Sequence, residues 1–442
     1  MKSFLNTVTK KKEHFFLING PPGSGKTALL QRVCAFWARG FCLRKFALVL
    51  WLGLKTYLRG PSDASFRTLL LHSLPHGSHI DSIQQWVVRH EAEDVLFVID
   101  GVNNQEDHFV DVVIAAKRLK KATIILAASS TPTRHLFPLF PHQHPTQYEL
   151  LGLSQEQILK QVIQHYCHNT SKAEEFLMYI SETHSIRALC SSPPYLATVL
   201  SVFDSVDTCD LPRTWTQLFT RLLKMLKLSR DFPNTLTRFF TRVLRRSSVS
   251  GHDILAILTY KAYEVTRTNS SFDWHHHFSN FCTRITSPYR TMVAPADHCC
   301  FTLMLLQYYL CARHIHSLPR DQHMVELNKK PVPLHVRQFY VGLCSSSERV
   351  KLVLKYPDAL VSAACISEIP LEELKDLMSS KLTFKWQQLT IIDISSIFQA
   401  VYHSGLPCRL QFYNCYFESQ AMGTVMKGLF ILPSGGTVQE LR

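Results

Sequence analysis

The stretch His14-Phe15-Phe16-Leu17-Ile18-Asn19-Gly20-Pro21-Pro22-Gly23-Ser24-Gly25-Lys26-Thr27-Ala28-Leu29-Leu30 decides the fold. Its first six residues form an apolar run suited to a buried strand, and a helix is predicted from Thr27 through Val33. The octet 20–27 between them is a complete phosphate-binding loop in the strand–loop–helix context that such a loop needs. Glycines at 20, 23 and 25 allow the backbone to curl so that successive N–H groups point inward at phosphate oxygens. The helix N-terminus adds partial positive charge, Lys26 reaches the β- and γ-phosphates, and the Thr27 hydroxyl is a ligand for Mg²⁺. Pro21, Pro22, Ser24 and Ala28 complete the cradle, and the implied ligand is a nucleoside triphosphate.

Outward from that loop, the first third of the chain alternates strands and helices. Residues 46–52, 94–100 and 123–129 are continuous apolar runs of the kind found in parallel strands buried on both faces. Residues 65–74 and 80–89 read as helices. Such alternation implies right-handed crossovers, a parallel sheet, and ligands at the carboxyl edges of its strands. Asp100 ends the second of these runs, which puts a carboxylate where it can reach Mg²⁺ or its waters. Ser129 and Ser130 end the third. The polar residues after Asp100 are Asn103 and Asn104, which can position a water but cannot take its proton, so slow or absent hydrolysis is expected.

With 442 residues, 46% of them hydrophobic, the chain is globular and long enough for several domains. Thirteen cysteines, an odd number without C-x₂-C pairs, do not form a disulfide framework and fit a reducing, cytoplasmic setting. The longest apolar runs are far short of the roughly 20 residues needed for a membrane span, and no secretory leader is visible. The net charge of +14 is spread along the chain and carries no interleaved aromatic stripe, favouring a solvated basic surface over a nucleic-acid groove. His275, His276, His277 and Cys282, and likewise His298, Cys299 and Cys300, lack the spacing of a metal site. His165, Cys167 and His168 come with no serine or cysteine nucleophile and orienting group, so no hydrolase chemistry beyond that of a nucleotide is indicated.

These motifs resemble the NACHT-type signalling NTPases of the NOD-like receptor group, in the STAND branch of P-loop ATPases, over about residues 14–315. Residues 20–27 correspond to Walker A and 98–104 to Walker B, with Asn104 at a degenerate acidic position. Tyr148 to Gln157 resembles the strand and capped helix that open the first helical domain. Ser154 and Gln157 there also form a capping box on their own terms. Residues 189–195 resemble the segment whose proline packs near adenine, a role carried to Pro193; without the resemblance, the two prolines would simply start a buried helix. Residues 211–219 resemble the start of the winged-helix region, and 301–310 a degraded copy of its closing helix.

The resemblance implies an α/β P-loop NTPase parallel sheet followed by helical, winged-helix and helical domains. It divides the chain into a nucleotide-binding domain at 1–148, helical domain 1 at 149–210, a winged-helix domain at 211–318, helical domain 2 at 319–398, and a vestigial leucine-rich repeat at 399–442. It implies ATP or ADP with Mg²⁺, and association with other NOD-like receptor proteins or with a second copy. There are departures. No arginine precedes Pro132 at the sensor strand end, where Arg134 lies two residues beyond it, and Thr302 stands where a histidine is usual, with His298 upstream. The short lead-in before the first strand is read as too short for an effector domain, and a single repeat unit at the other end as leaning on the preceding helices. The expected function is nucleotide binding coupled to protein association in innate immunity, with weak or absent hydrolysis. The alternative is an active P-loop ATPase stimulated by nucleic acid.

Overall fold

Alternate residues of the apolar runs face opposite sides of one parallel sheet in the computed structural model of the chain. The structure describes residues 2–10, 15–20, 23–53, 67, 70, 74, 78–89, 94–102, 121–128, 146–207, 210–228, 251–268, 304–328, 332–345, 364–365, 368, 381–385, 388–389, 394, 397, 408–413, 415–417 and 438–441. They fall into two compact units, 1–152 and 153–442.

The first unit begins with helix α1 (Lys2–Lys10), followed by β1 (Phe15–Asn19), α2 (Lys26–Ala38), β2 (Leu48–Gly53), α3 (Ile80–Arg89), β3 (Val95–Val102), β4 (Thr123–Ala128) and β5 (Thr146–Glu149). The strands lie in the order β2-β3-β4-β1-β5, all parallel. Phe15, Leu17, Phe97, Ile99, Ile124 and Leu126 enter one apolar layer together with Val87 of α3. Phe16, Ile18, Leu96, Val98, Ile125 and Ala127 enter the other, with Leu30 and Val33 of α2. Both faces are therefore covered, as their unbroken hydrophobicity requires.

Residues before β1 form helix α1, which packs on the sheet. Its Phe4, Leu5 and Val8 join the α2 layer, and Phe4 meets Tyr148 of β5 edge to face with ring centroids 5.0 Å apart. Of the expected helix at 65–74, only 67 and 70 are described as helical, with Leu70 fully buried.

The second unit starts with α4 (Gln155–His165), α5 (Thr170–Glu182), α6 (His184–Cys190) and α7 (Pro193–Ser205). Ser154 caps α4 through the expected box: its Oγ accepts from the Gln157 N–H at 3.3 Å, and its own N–H donates to Gln157 Oε1 at 2.8 Å. Then come α8 (Trp215–Leu228), α9 (Gly251–Thr268), α10 (Met304–Ser317), α11 (Arg320–Asn328) and α12 (Leu334–Leu343). Phe219, Tyr309 and Phe339 pack as a buried aromatic trio, with centroids 5.5–5.9 Å apart. The Tyr195 hydroxyl accepts the Leu305 N–H at 3.1 Å and so satisfies a donor at the start of α10. Between 346 and 380 the described residues are 364 and 365, both helical, and 368.

Beyond them lie β6 (Lys381–Lys385), β7 (Gln388–Leu389), β8 (Cys408–Tyr413), β9 (Tyr416–Phe417) and β10 (Val438–Leu441). The segment 399–442, expected as a vestigial leucine-rich repeat, contributes β8, β9 and β10. Strand β8 is flanked by parallel β6 and β10, and β7 pairs with β9. Lys381 faces Arg409 and Gln388 faces Tyr416, each 28 residues further on, so the unit at 408–417 stacks on a like unit at 381–389. Phe384 and Phe412 stack at 5.0 Å across the ladder.

Candidate functional site

Strand register brings the two halves of the site together. Asn19, the last residue of β1, lies level with Ala128 of β4, while Gly53 of β2 pairs with Asp100 of β3. A register shift between Ile99 and Val102 bends the β3 end just where Asp100 sits. The Thr27 hydroxyl, in the first turn of α2, donates to Asp100 Oδ2 at 2.7 Å. The expected pair of Mg²⁺ ligands is thus in direct contact, although 73 residues apart in sequence.

The loop itself shows why its glycines are required. Gly23 and Gly25 have φ of 81° and 98°, the left-handed region that side chains disfavour. Gly20 needs no positive φ; its reason is proximity. A Cβ there would lie 2.6 Å from the Leu150 carbonyl and 2.9 Å from Ser24 Oγ. The Leu150 N–H in turn donates to the Asn19 carbonyl at 2.7 Å, so the chain leaving β5 is held against the start of the loop. The Lys26 ammonium donates to the Gly20 carbonyl at 2.6 Å, spanning the curl.

Three observations fit an anionic ligand with a hard cation. No side chain caps the N-terminus of α2, and no acid lies in its first turn. Ser24 Oγ and Asn19 Oδ1 are buried and have no hydrogen-bond partner among the described residues, which is costly unless a ligand or water completes them. The Thr27 hydroxyl and Asp100 carboxylate are oxygen donors of the type Mg²⁺ takes. Ala28 is exposed in the same turn of α2. Neither the Leu150 contact nor the unpartnered Asn19 was foreseen, because neither belongs to a recognised spacing. The apolar run that ends abruptly in Asn19 was the available signal.

Other expected residues lie elsewhere. Pro193 is half-buried at the first position of α7, in the second unit. Pro21, Pro22, Asn103, Asn104, Ser129, Ser130, Pro132 and Arg134 lie outside the described residues, as do His275, His276, His277, Cys282, His298, Cys299, Cys300 and Thr302. His165 contacts Asp204 at 2.9 Å, and Asp204 also receives the Tyr166 hydroxyl at 2.9 Å and Lys172 at 2.8 Å. Burial opposes ionisation of Asp204, but hydrogen bonds from Lys172, His165 and Tyr166 outweigh it and hold the carboxyl below its ordinary range. That cluster ties α4, α5 and α7 together.

Comparison with known proteins agrees with this geometry. Residues 14–170 match the family model of the NACHT domain. The chain is 26% identical over 198 residues to "NACHT, LRR and PYD domains-containing protein 9" of Bos taurus, covering 40% of this chain and 19% of that protein. It is 26% identical over 193 residues to "NLR family CARD domain-containing protein 4" of Bos taurus, covering 42% and 18%. With "Protein NLRC5" of Homo sapiens the identity is 22%, over 95% of this chain and 25% of that protein. The chain thus spans about a fifth of the length of the first two of these relatives. A chain from "Structure of Drosophila ORC bound to DNA" superposes with a TM-score of 0.26 at 13% identity, covering 61% of this chain and 67% of that one, too loosely to bear on function.

Proposed function

We propose, for a chain whose residues 14–170 are a NACHT domain of the NOD-like receptor family, that it binds ATP or ADP with Mg²⁺ and acts through nucleotide-gated protein association in innate immune signalling or its regulation. The observation that carries this reading is the 2.7 Å contact of Thr27 with Asp100, beside a loop whose Lys26 spans its curl. Gly20, Gly23, Ser24, Gly25, Lys26 and Ala28 hold the phosphates, with Pro21 and Pro22 shaping the loop. Thr27 and Asp100 hold Mg²⁺, and Pro193 keeps the adenine-side role that the resemblance implies. When bound, Mg²⁺ supplies neutralisation of the phosphate charge; this chain's own part is to orient the nucleotide. Asn103 and Asn104, in place of acids, leave it without a strong base, so turnover is slow or absent.

The partners are other NACHT proteins or a second copy of the chain, in the cytoplasm. The domain boundaries are those expected at 148, 210 and 318, while the repeat region is taken to start before β6 instead of at 399, the 381–441 ladder being read as stacked repeats of the leucine-rich kind, whose period its 28-residue offset matches. Among the described residues no helix is long and apolar enough to cross a membrane.

The test is binding and turnover of labelled ATP and ADP in Mg²⁺ by the wild-type chain and Lys26→Ala, with particle size measured in parallel. Binding that depends on Lys26, with negligible hydrolysis and a nucleotide-dependent change in association, is expected. Rapid turnover by the wild type, or equal binding by both proteins, overturns the reading. In the Asn104→Glu variant hydrolysis is expected to rise.

A further inference from the structure

No Asp or Glu occurs between Glu13 and Asp63, an interval that contains Lys26, Arg32, Arg39, Arg44, Lys45, Lys55 and Arg59. The structure gathers part of this charge where α2 ends and the chain turns back toward β2. Arg32, Arg39, Arg44 and Lys45 are all exposed there, and none meets a carboxylate among the described residues. At the tip stands Phe41, 70% exposed, the most exposed of the large hydrophobic side chains described.

The turn is rigidly built. The Phe41 N–H donates to the Phe36 carbonyl at 3.0 Å, the Gly40 N–H to Trp37 at 2.8 Å, and the Phe46 N–H to Leu43 at 3.0 Å. Arg44 Nε donates to the Gly40 carbonyl at 2.7 Å, and Lys45 Nζ to the Val8 carbonyl of α1 at 2.7 Å. Leu43 has φ of 60°, unusual and costly for a branched residue, and its side chain is 1% exposed. Burial of Leu43 holds the strained turn, while Phe41 is directed outward against the edge of Phe36, whose ring lies under the Arg32 guanidinium.

We propose that this turn is a docking site for an anionic membrane surface. Phe41 enters the headgroup boundary, while Arg39 and the N–H groups that Arg44 and Lys45 do not give to the Gly40 and Val8 carbonyls meet lipid phosphates and carboxylates. A single projecting ring beside cations that meet no carboxylate among the described residues has this amphipathic form. A protein epitope of ordinary size needs about 800 Å² per partner, more than one short turn offers. Helix α1 cannot supply the insertion, because Phe4, Leu5 and Val8 already belong to the sheet core. The 13 residues of α2 separate the turn from the phosphate loop by about 20 Å, so the two sites are separable.

The experiment is co-sedimentation of the full chain with vesicles of phosphatidylcholine, and with vesicles in which about a third of the lipid is phosphatidylserine. Wild type is compared with Phe41→Ser and with Arg39→Glu/Arg44→Glu, all on exposed side chains, with thermal melting as the check on folding. The wild type is expected to prefer the anionic vesicles by at least about tenfold, since each basic residue near such a surface contributes about fivefold. Each variant should lose about tenfold or more while melting like the wild type, and raising the salt to about 0.5 M should release the protein. Absence of anionic preference, retained binding by the doubly reversed variant, or capture by polyglutamate or a single-stranded oligonucleotide without vesicle binding overturns the proposal.

Discussion

Replacing Gly20 and Gly25 separately by alanine should damage the phosphate loop for two different physical reasons. At Gly20 the new Cβ would lie 2.6 Å from the Leu150 carbonyl and 2.9 Å from Ser24 Oγ. Backbone must therefore move, and it is the backbone that joins β5 to β1 through the 2.7 Å bond from Leu150 N–H to Asn19. Forced overpacking of this sort costs about 1–3 kcal/mol, which for a unit of this size lowers the melting temperature by about 2–10 °C. At Gly25 a Cβ would meet nothing within 4 Å, but φ is +98°, so the cost is conformational, about 1–2 kcal/mol. The two cases are separable by a second pair of variants. Gly25→Asn should recover part of the loss, because asparagine tolerates the left-handed region. Ser24→Ala should partly relieve Gly20→Ala by removing one of the two clashing atoms, and should do nothing for Gly25→Ala. Thermal melts together with nucleotide titration of the six proteins decide the matter. If Gly20→Ala melts and binds like the wild type while Gly25→Ala fails, the close approach of β5 to the loop is wrong, and with it the account of why residue 20 is glycine.

Thr27→Val keeps the shape of the side chain but removes the donor to Asp100; nucleotide affinity should fall about tenfold or more in Mg²⁺ and much less in chelator, and an equal loss in both would mean the hydroxyl serves only the fold. Glu368 is fully buried, and burial raises its pKa against the opposing hydrogen bonds from Thr216, Thr214 and Gln338. Its protonated form is thus favoured by folding, so its contribution to stability is greatest at low pH and is lost as pH rises from the ordinary carboxylate range through the raised value. Urea titrations at pH 5 and pH 8 should show the stability of Glu368→Gln relative to wild type increasing with pH, whereas a constant difference would refute the raised pKa. Burial pushes the thiols of Cys190 and Cys311 up to about 12, so in the native chain they should resist iodoacetamide at pH 8 while the exposed Cys167 reacts, as mass spectrometry of the labelled protein would show.

What the sequence reveals of this fold divides along one physical line, the distance over which each residue's reason operates. Strands β1, β3 and β4 are legible because a parallel strand covered on both faces must be apolar throughout, a local property of five to eight residues. The loop is legible because its glycines, lysine and threonine answer to one ligand within eight positions. Helix α1 was passed over because its apolar residues, Phe4, Leu5 and Val8, are few and set among polar ones, and acquire meaning only against Phe16 and Tyr148. The 381–389 unit was missed for a similar reason: its likeness to 408–417 amounts to a Leu-x-Phe pair recurring 28 residues later, persuasive only once the strands are seen to stack. Glu368 lies further still from prediction, since its partner at Thr216 is 152 residues away and no spacing links them.

The phosphate site escaped that limit, although Thr27 and Asp100 are themselves distant, because each closes a local motif at the same edge of a parallel sheet. Once β4 is placed between β1 and β3, register brings Asn19, Ala128 and the end of β3 to one level. The helix leaving Asn19 must then start beside the acid that ends its second neighbour. Long-range contact was predictable here because topology converts two local sequence signals into one place. It was not predictable at Glu368, where no repeating register relates the two segments.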